Sequence, residues 1–379
     1  MNCLTRNRLS IGVLTLAAVL FTCCLQSGSI PRAFASSAPK DATRLFSVTN
    51  KLSFGNYGPD ANIVASDRQA IFLTGTFERG KNAPAADLIR VDSQSLVVTA
   101  RVRLPTVTSI AVGDGALWWA TGAPLGNAGT TDTPGHGRLL LKVNPTSLKV
   151  LARFVLPDPT LLVAVAQGKV WVATSTDLFR INPETGAIIT RVALGFFPTA
   201  LAPSYDGARL YVLGYLPKDH MIFADYSTTS GQRLGSRQYP NFSGGPLAVV
   251  RGGVWIPVQS TKTQSTTIRL FTGREFTSSS SLGRFKFDTE AYVEGNVLWL
   301  IDSGGEGPTV CANPADGKIR AEGSPVGVEY GAMAFDGGST YLLRSNAPNQ
   351  SLLKIVPSST CSRGARSPEF AGVRPGPGH

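Results

Sequence analysis

Histidine and cysteine, on which many metal centres and nucleophilic enzymes depend, are scarce in this chain of 379 residues, which has three His and five Cys. No segment has the form of a zinc-binding His-Glu-x-x-His helix, a Gly-x-Ser-x-Gly nucleophile elbow or a phosphate-binding loop. Helical periodicity is also missing beyond residue 35, which excludes solenoids built from helix pairs. The sequence therefore favours an all-β fold and offers no familiar catalytic motif.

The first 35 residues have the form of a secretion signal. Arginines precede an uncharged apolar stretch over 9–25, and Ala33-Phe34-Ala35 gives the small-x-small pattern that signal peptidase prefers. We predict cleavage after Ala35, which gives a secreted or cell-envelope protein with no transmembrane segment in the mature chain. Two alternatives stay open. One is a membrane anchor, for which 17 residues are short; the other is lipidation of Cys23.

Acidic residues are fewer than basic ones. The formal charge of +11 falls to +8 once the three arginines of the predicted signal are removed. Spread over a large surface, this balance suits mild attraction to anionic polymers. No run of Lys and Arg interleaved with aromatic residues occurs, so we do not expect a nucleic acid as partner.

Short β-like runs that each carry one large aromatic residue recur along the chain. The aromatic positions, which we call the lattice aromatics, are Phe72, Trp118, Trp171, Tyr211, Trp255, Trp299 and Tyr341. Their spacings are 46, 53, 40, 44, 44 and 42 residues. A polar turn, in most cases with Gly, precedes each run, and an Asn-Pro or Asp turn follows a third strand in most units. Four strands in about 44 residues is typical of a propeller blade.

We therefore predict a seven-bladed β-propeller with four-stranded antiparallel blades over residues 36–361. The predicted blades lie near 60–104, 105–156, 157–196, 197–243, 244–283, 284–324 and 325–361. The strand over 44–54 is predicted to complete the last blade and close the ring. The tail over 362–379 is rich in Gly, Pro and Arg and is predicted to be disordered. A pair of β-sandwiches is the alternative architecture.

Three segments carry a resemblance to a known superfamily: residues 110–120, Val170-Trp-Val-Ala173 and 178–186. They resemble the YVTN-type and quinoprotein amine dehydrogenase-like β-propellers, a superfamily that includes the streptogramin lyases. The resemblance implies a propeller over nearly all of the mature chain and little about function. Those lyases use histidines and a carboxylate around a divalent metal. The mature chain has only His136, His220 and His379, so the resemblance does not extend to the lyase site.

The mature chain would keep two cysteines, Cys311 and Cys361. An even pair in an oxidising compartment predicts a disulfide. Aligning the third strands of blades six and seven places Cys311 on a strand and Cys361 just past the equivalent turn, so the bond would tie these two blades together. Two buried free thiols are the alternative.

Long loops concentrate on one face of the predicted ring. Segments 75–87, 121–138 and 215–221 all connect a second strand to a third strand. Loops on a rigid scaffold are where binding residues concentrate, although tolerated surface insertions would look the same. The candidate ligand-face residues are Trp119, His136, Lys218, His220, Glu306, Tyr330 and Arg344. We predict that replacing Trp119 or Arg344 weakens ligand binding and leaves stability unchanged.

Three carboxylates at the start of the last two blades, Asp288, Glu290 and Glu329, are predicted to line one mouth of the central channel. Oxygen ligands of this kind suit a divalent cation such as Ca²⁺. Solvated carboxylates at strand ends are the alternative. No other cofactor is indicated.

Two functions remain from different classes. The first is a monomeric, non-catalytic module that presents the loop face to an extracellular protein, a glycan or a small molecule. The second is a metal-assisted lyase or hydrolase at the channel mouth. The scarcity of His and the lack of a nucleophile–base pair favour the first.

Overall fold

A computed structural model describes residues 45–362 except for short segments. The segments left out are 56–63, 67–68, 76–84, 123–136, 218–219, 241, 261, 264, 273–276, 286–288, 303–308, 324–329, 336–338 and 345–349. The predicted signal over 1–35, with Cys23, and the predicted tail beyond Ser362 lie outside the described residues. Within them, no helix is long and apolar enough to cross a membrane.

The strands form seven antiparallel sheets, which confirms the predicted all-β, seven-bladed propeller. Blade 1 has β2 (Val64–Ser66), β3 (Ala70–Gly75), β4 (Ala85–Asp92) and β5 (Val98–Pro105). Blade 2 has β6 (Ser109–Gly113), β7 (Ala116–Thr121), β8 (Leu139–Val143) and β9 (Val150–Val155). Blade 3 has β10 (Thr160–Ala166), β11 (Lys169–Thr174), β12 (Asp177–Ile181) and β13 (Ile188–Ala193). In each of these three blades the first strand in chain order is the inner strand.

The remaining blades follow the same order. Blade 4 has β14 (Phe197–Pro203), β15 (Arg209–Leu216), β16 (His220–Ser227) and β17 (Arg233–Tyr239); blade 5 has a divided inner strand, β18 (Phe242–Gly244) and β19 (Ala248–Val250), then β20 (Gly253–Ser260), β21 (Ser265–Thr272) and β22 (Thr277–Phe285); blade 6 has β23 (Thr289–Glu294), β24 (Val297–Asp302), β25 (Thr309–Ala312) and β26 (Ile319–Gly323). Blade 7 has β27 (Tyr330–Phe335), β28 (Thr340–Arg344), β29 (Gln350–Pro357) and, as its outer strand, β1 (Phe46–Gly55). One short helix, α1 (Ser359–Ser362), follows β29.

The position of a strand in its blade explains its sequence. All six residues of β7 are buried, because the neighbouring blades cover both faces of the second strand. A strand covered on both faces reads as a continuous apolar run. The outer strand β9 instead alternates between half-buried and exposed residues, as expected where one face is covered and the other is solvated.

The hydrophobic core is divided into clusters between blades. Among the described residues there are seven buried apolar clusters, and each combines side chains of two consecutive blades. One of them joins Ile71 of blade 1 to Tyr341 of blade 7. An open row of seven blades has six interfaces, so the seventh cluster shows that the ring is closed.

The outer strand of blade 7 comes from the other end of the chain. β1 pairs antiparallel with β29, from Phe46 opposite Pro357 to Gly55 opposite Gln350. The last blade is therefore built from both terminal regions of the propeller.

Polar contacts between blades recur at one structural position. In blade 2, Lys142 lies opposite Trp118 in the ladder, with its Nζ 5.7 Å from the centre of the ring. The same Nζ donates to the carbonyl of Pro183 at 3.2 Å and to the Glu184 carboxylate at 2.8 Å, in the outer turn of blade 3. The residue opposite the lattice aromatic thus ties its blade to the turn of the following blade.

Other blades make the same tie with different donors. In blade 7, Tyr341 and Lys354 both donate to the carbonyl of Ser93 in blade 1, at 2.6 and 3.0 Å. In blade 5, the indole of Trp255 donates to the carbonyl of Pro314 in blade 6 at 2.7 Å. We call these contacts the blade ties.

The blade tie between blades 6 and 7 is covalent. Cys311 lies opposite Trp299 in the ladder, and it forms a disulfide with Cys361 of α1 across a Cα separation of 5.7 Å. The predicted Cys311–Cys361 disulfide is confirmed, and both residues are fully buried. Arg320 adds a hydrogen bond to the Cys361 carbonyl at 2.7 Å.

Candidate functional site

The two ends of the propeller differ in how their polar groups are used. We call the end with the loops between second and third strands the loop rim; it includes Thr174 and His220. The opposite end, with the turns after the third strands, is the turn rim. There Asn144 accepts hydrogen bonds from the backbone of Thr146 and Ser147 at 2.9 and 2.8 Å. Such turns occupy the side chains that form them.

Several predicted ligand-face residues lie on segments that are not described. These are His136, Lys218 and Glu306. Tyr330 and Arg344 are paired with each other, at the start of β27 and the end of β28, so the fold brings their backbones together at the loop rim. His220 begins β16 opposite Leu216 and is partly exposed at the same rim.

The prediction that Trp119 projects onto the loop rim is wrong. Trp119 is fully buried between blades 1 and 2, in the cluster that contains Phe72 and Leu88. Its indole donates to the carbonyl of Pro105 at 3.1 Å. Successive strand residues point to opposite faces, so Trp118 and Trp119 fill the interfaces on the two sides of blade 2.

One of the three predicted metal-binding carboxylates can be placed. Glu290 lies on the inner strand β23 and accepts a hydrogen bond from the hydroxyl of Tyr292. Burial and this neighbouring carboxylate raise the pKa of Tyr292 well above its ordinary value of 10.0, so the phenol stays a donor. Asp288 and Glu329 lie outside the described residues, within which no group of three potential metal ligands occurs. The metal site stays a prediction.

A row of large side chains crosses blade 4 at the loop rim. Phe197 lies opposite Tyr215, Tyr215 opposite Met221, and Met221 opposite Tyr239. Directly paired residues project from the same face of a sheet, and here that face is turned toward blade 5. We call these four residues the aromatic ledge.

Phe197 gives the ledge its accessible end. It begins the inner strand of blade 4 and is 42% exposed, and the other exposed aromatic residue in the described part of the chain is Tyr205, near the turn rim. Tyr215 donates its hydroxyl to the carbonyl of Gly244 at 3.2 Å, which fixes its ring against blade 5. The ledge therefore has an exposed apolar end at Phe197 and, at Tyr215, a ring that is held in place by a hydrogen bond.

A cation lies at the other end of the ledge. The guanidinium of Arg237 is 5.6 Å from the centre of the Tyr239 ring. Burial raises the pKa of Tyr239 above 10.0, while Arg237 and Arg269 act in the opposite direction. The phenol is neutral at physiological pH, so the ledge combines aromatic surface with a hydroxyl and a positive charge.

Phe197 was not among the predicted site residues, because the candidates taken from the starts of blades were carboxylates and Tyr330. The feature of the sequence that could have indicated an exposed ring is the pair Phe196-Phe197 at the start of a blade. Phe196 is buried, and a Cβ on Gly214 would lie 2.5 Å from its ring and 2.3 Å from the Phe197 carbonyl. The glycine thus makes room for one ring inside the interface, and the next ring stays outside.

Comparisons with known proteins support the fold. No protein-family model and no curated protein sequence matches the chain. Among solved structures it is similar to the β-propeller domain of Cps50 (Swd1) from Myceliophteria thermophila, with 10% identity and a TM-score of 0.60 over 83% of this chain and 100% of that one. The WD40 domain of Toxoplasma gondii coronin has 12% identity and a TM-score of 0.59 over 84% and 89%. BamB from Moraxella catarrhalis has 10% identity and a TM-score of 0.50 over 82% and 99%.

At these identities the likeness shows the β-propeller fold alone. That fold is consistent with an interaction or binding scaffold. Folds of this kind host many unrelated functions, and the residues of the site determine which one a given protein has.

Proposed function

We propose that this chain is a secreted, non-catalytic binding module that holds a segment of a partner protein on its loop rim, with the aromatic ledge at the centre of the contact. The observation that carries the proposal is Phe197, a large ring left 42% exposed at the start of an inner strand. Exposed aromatic surface next to polar groups is typical of binding sites.

The composition of the ledge favours a protein partner over a glycan or a small molecule. Tyr and Arg are enriched among the residues that dominate protein–protein binding energy, and the ledge places Tyr215, Tyr239 and the adjacent Arg237 on one surface. Met221 is fully buried beneath them and supports the two rings from the core between blades 4 and 5.

Secretion and subfamily are part of the same proposal. The apolar segment and the Ala33-Phe34-Ala35 pattern support export. The repeat segments 110–120 and 178–186 support membership of the YVTN-type or quinoprotein amine dehydrogenase-like group within the β-propellers. A single disulfide in the fold is compatible with an oxidising compartment.

The test is a selection from a random peptide library displayed on phage, followed by binding measurements with the enriched peptides. The ledge variants are Phe197→Ala and Tyr239→Phe. The matched control is Tyr205→Ala, because Tyr205 is 62% exposed in a turn at the opposite rim. Truncating a central aromatic residue costs about 2 kcal/mol or more in binding, so we expect Phe197→Ala to weaken peptide binding roughly 30-fold.

Melting temperatures of all three variants should stay close to that of the unchanged protein. Peptides that bind Phe197→Ala as well as the unchanged protein, or that lose affinity for Tyr205→Ala instead, would place the binding surface elsewhere. Selection that enriches no peptide, while a glycan array gives a hit sensitive to Phe197→Ala, would overturn the choice of a protein partner.

A further inference from the structure

Positive charge is sorted by strand position. The outer strands β1, β5, β9, β13, β17, β22 and β26 contain nine Lys or Arg and one acid, Glu322. The nine are Lys51, Arg101, Arg103, Arg153, Arg191, Arg233, Arg237, Arg284 and Arg320. The described inner strands contain no Lys or Arg, and their charged residues are Glu290 and Glu294. The circumference of the ring is therefore basic and the wall of its channel is not.

Four of these cations occupy one equivalent position. In blades 7, 1, 2 and 3, each lies opposite an apolar residue of the third strand, one register step beyond the lattice aromatic. The pairs are Leu353 with Lys51, Ile89 with Arg101, Leu141 with Arg153 and Phe179 with Arg191. We call Lys51, Arg101, Arg153 and Arg191 the cationic row.

The row runs through consecutive grooves on the outside of the ring. The apolar partner of each cation belongs to the cluster shared with the preceding blade; for example, Leu141 packs with blade 1 and Phe179 with blade 2. Paired residues share a face, so each cation projects into the groove between its own blade and the one before it. One cation therefore recurs in each of four successive grooves.

Two members of the row are held in position by carboxylates. Arg101 binds Asp87 at 2.8 Å, and Arg191 binds Asp177 through Nε and Nη2 at 3.0 and 2.9 Å. Their side chains stay 42% and 56% exposed. Lys51 and Arg153 are exposed, and within the described residues no carboxylate pairs with them. The row thus alternates anchored and uncompensated charges.

We propose that the cationic row binds a linear anionic polysaccharide laid across the outer grooves of blades 7, 1, 2 and 3. A charge that recurs once per blade matches a chain of repeating anionic groups better than a single ion. Eight of the nine outer-strand cations are Arg, whose planar fork fits carboxylate, sulfate and phosphate groups. Protection of edge strands against aggregation needs only charge of either sign, most often Lys, and does not explain a preference for Arg.

The row favours a polysaccharide over a nucleic acid. Single strands are held by aromatic side chains on which bases stack. The aromatic residue beneath this row is Phe179, and Arg191 already covers its ring at 5.5 Å. This surface lies on the circumference, so it is independent of the loop rim and of the partner proposed there.

The test measures binding of a fluorescent heparin dodecasaccharide by anisotropy at 50 and 200 mM NaCl. The test variant is Lys51→Gln with Arg153→Gln, which removes two charges without touching an ion pair. The matched control is Arg251→Gln with Lys262→Gln, two exposed cations that lie off the outer strands. We expect the test variant to bind at least tenfold more weakly, with a shallower salt dependence, and the control to stay within twofold.

Two further measurements complete the design. The variant Lys51→Arg with Arg153→Lys should bind like the unchanged protein, and a heparin disaccharide should bind at least tenfold more weakly than the dodecasaccharide. Equal losses in the test and control variants would mean attraction by net charge alone and would overturn the proposal. Binding of a dT30 oligonucleotide more tightly than heparin at the same salt would overturn the choice of a polysaccharide.

Discussion

Removing the disulfide between blades 6 and 7 should cost more stability than removing any other blade tie. Cys311 and Cys361 are 50 residues apart, and closing a loop of that length in the unfolded chain corresponds to about 4 kcal/mol at 25 °C. The ties made by hydrogen bonds, such as that of Lys142, contribute about 1 to 2 kcal/mol each. We expect Cys311→Ala with Cys361→Ala to lose about 3 to 4 kcal/mol, because the Arg320 contact and the β1–β29 pairing still hold the segment.

The assay is urea unfolding followed by tryptophan fluorescence. With an m-value of about 3 kcal/mol per molar urea, the midpoint should fall by roughly 1 M. The control is Lys142→Met, which removes a hydrogen-bonded tie and should shift the midpoint by less than half as much. Unchanged protein that has been reduced during unfolding should match the double alanine variant.

An equal shift in the two variants, or a loss below about 1 kcal/mol for the cysteine pair, would refute this reasoning. It would mean that the covalent bond adds nothing beyond the contact found at the same position in other blades. Reductant added to the folded protein is a poor substitute for the variants, since both cysteines are fully buried.

Three more predictions concern stability. Trp119→Ala should lose about 3 to 5 kcal/mol, seen as a lower urea midpoint, because Trp119 is a core residue. Hydrogen bonds from Arg191 hold the pKa of Asp177 below 3.8. The stabilisation that results is present above pH 3.8 and is lost as the pH falls through the lower pKa of the folded state. Asp177→Asn should therefore have a lower urea midpoint than the unchanged protein at pH 7 and the same midpoint in strong acid. Gly317→Ala should lose about 1 kcal/mol or more beyond Gly115→Ala, since both have positive φ but only at Gly317 would a Cβ lie 2.6 Å from Trp255.

The aromatic lattice predicted the blades because the second strand meets the same physical demand in every repeat. It is covered on both faces, and its recurring aromatic residue contributes a large ring to the interface with the following blade. The disulfide was predicted from the same periodicity, since aligning the third strands of blades six and seven placed Cys311 on a strand and Cys361 just past the equivalent turn. Two predicted blade boundaries differ from the structure by two residues, because Phe242–Gly244 already pairs with β20 and β22 continues to Phe285.

Exposure was harder to predict than strand position. Trp118 and Trp119 are adjacent, and only the neighbouring blades show that both are buried. Phe197 is exposed where the register of its strand shifts between Pro198 and Ala200, and bulges of this kind re-aim side chains. The cationic row could not be predicted from the sequence, because the net charge of the chain does not indicate the strand register that places Lys51 and Arg153 at equivalent positions.

The pairing of β1 with β29 sets the order in which the protein can assemble. Phe46 and Pro357 meet although 311 residues separate them in the chain, whereas every other blade is made of consecutive strands. Six blades can therefore form from consecutive segments of the chain, while β1 can pair only after β29 is in place. Bringing such distant segments together is slow, and until it happens the edges of β1 and β29 are open to pairing with another chain. We therefore expect ring closure to be the slow step of folding and the stage at which this protein is most exposed to misassembly.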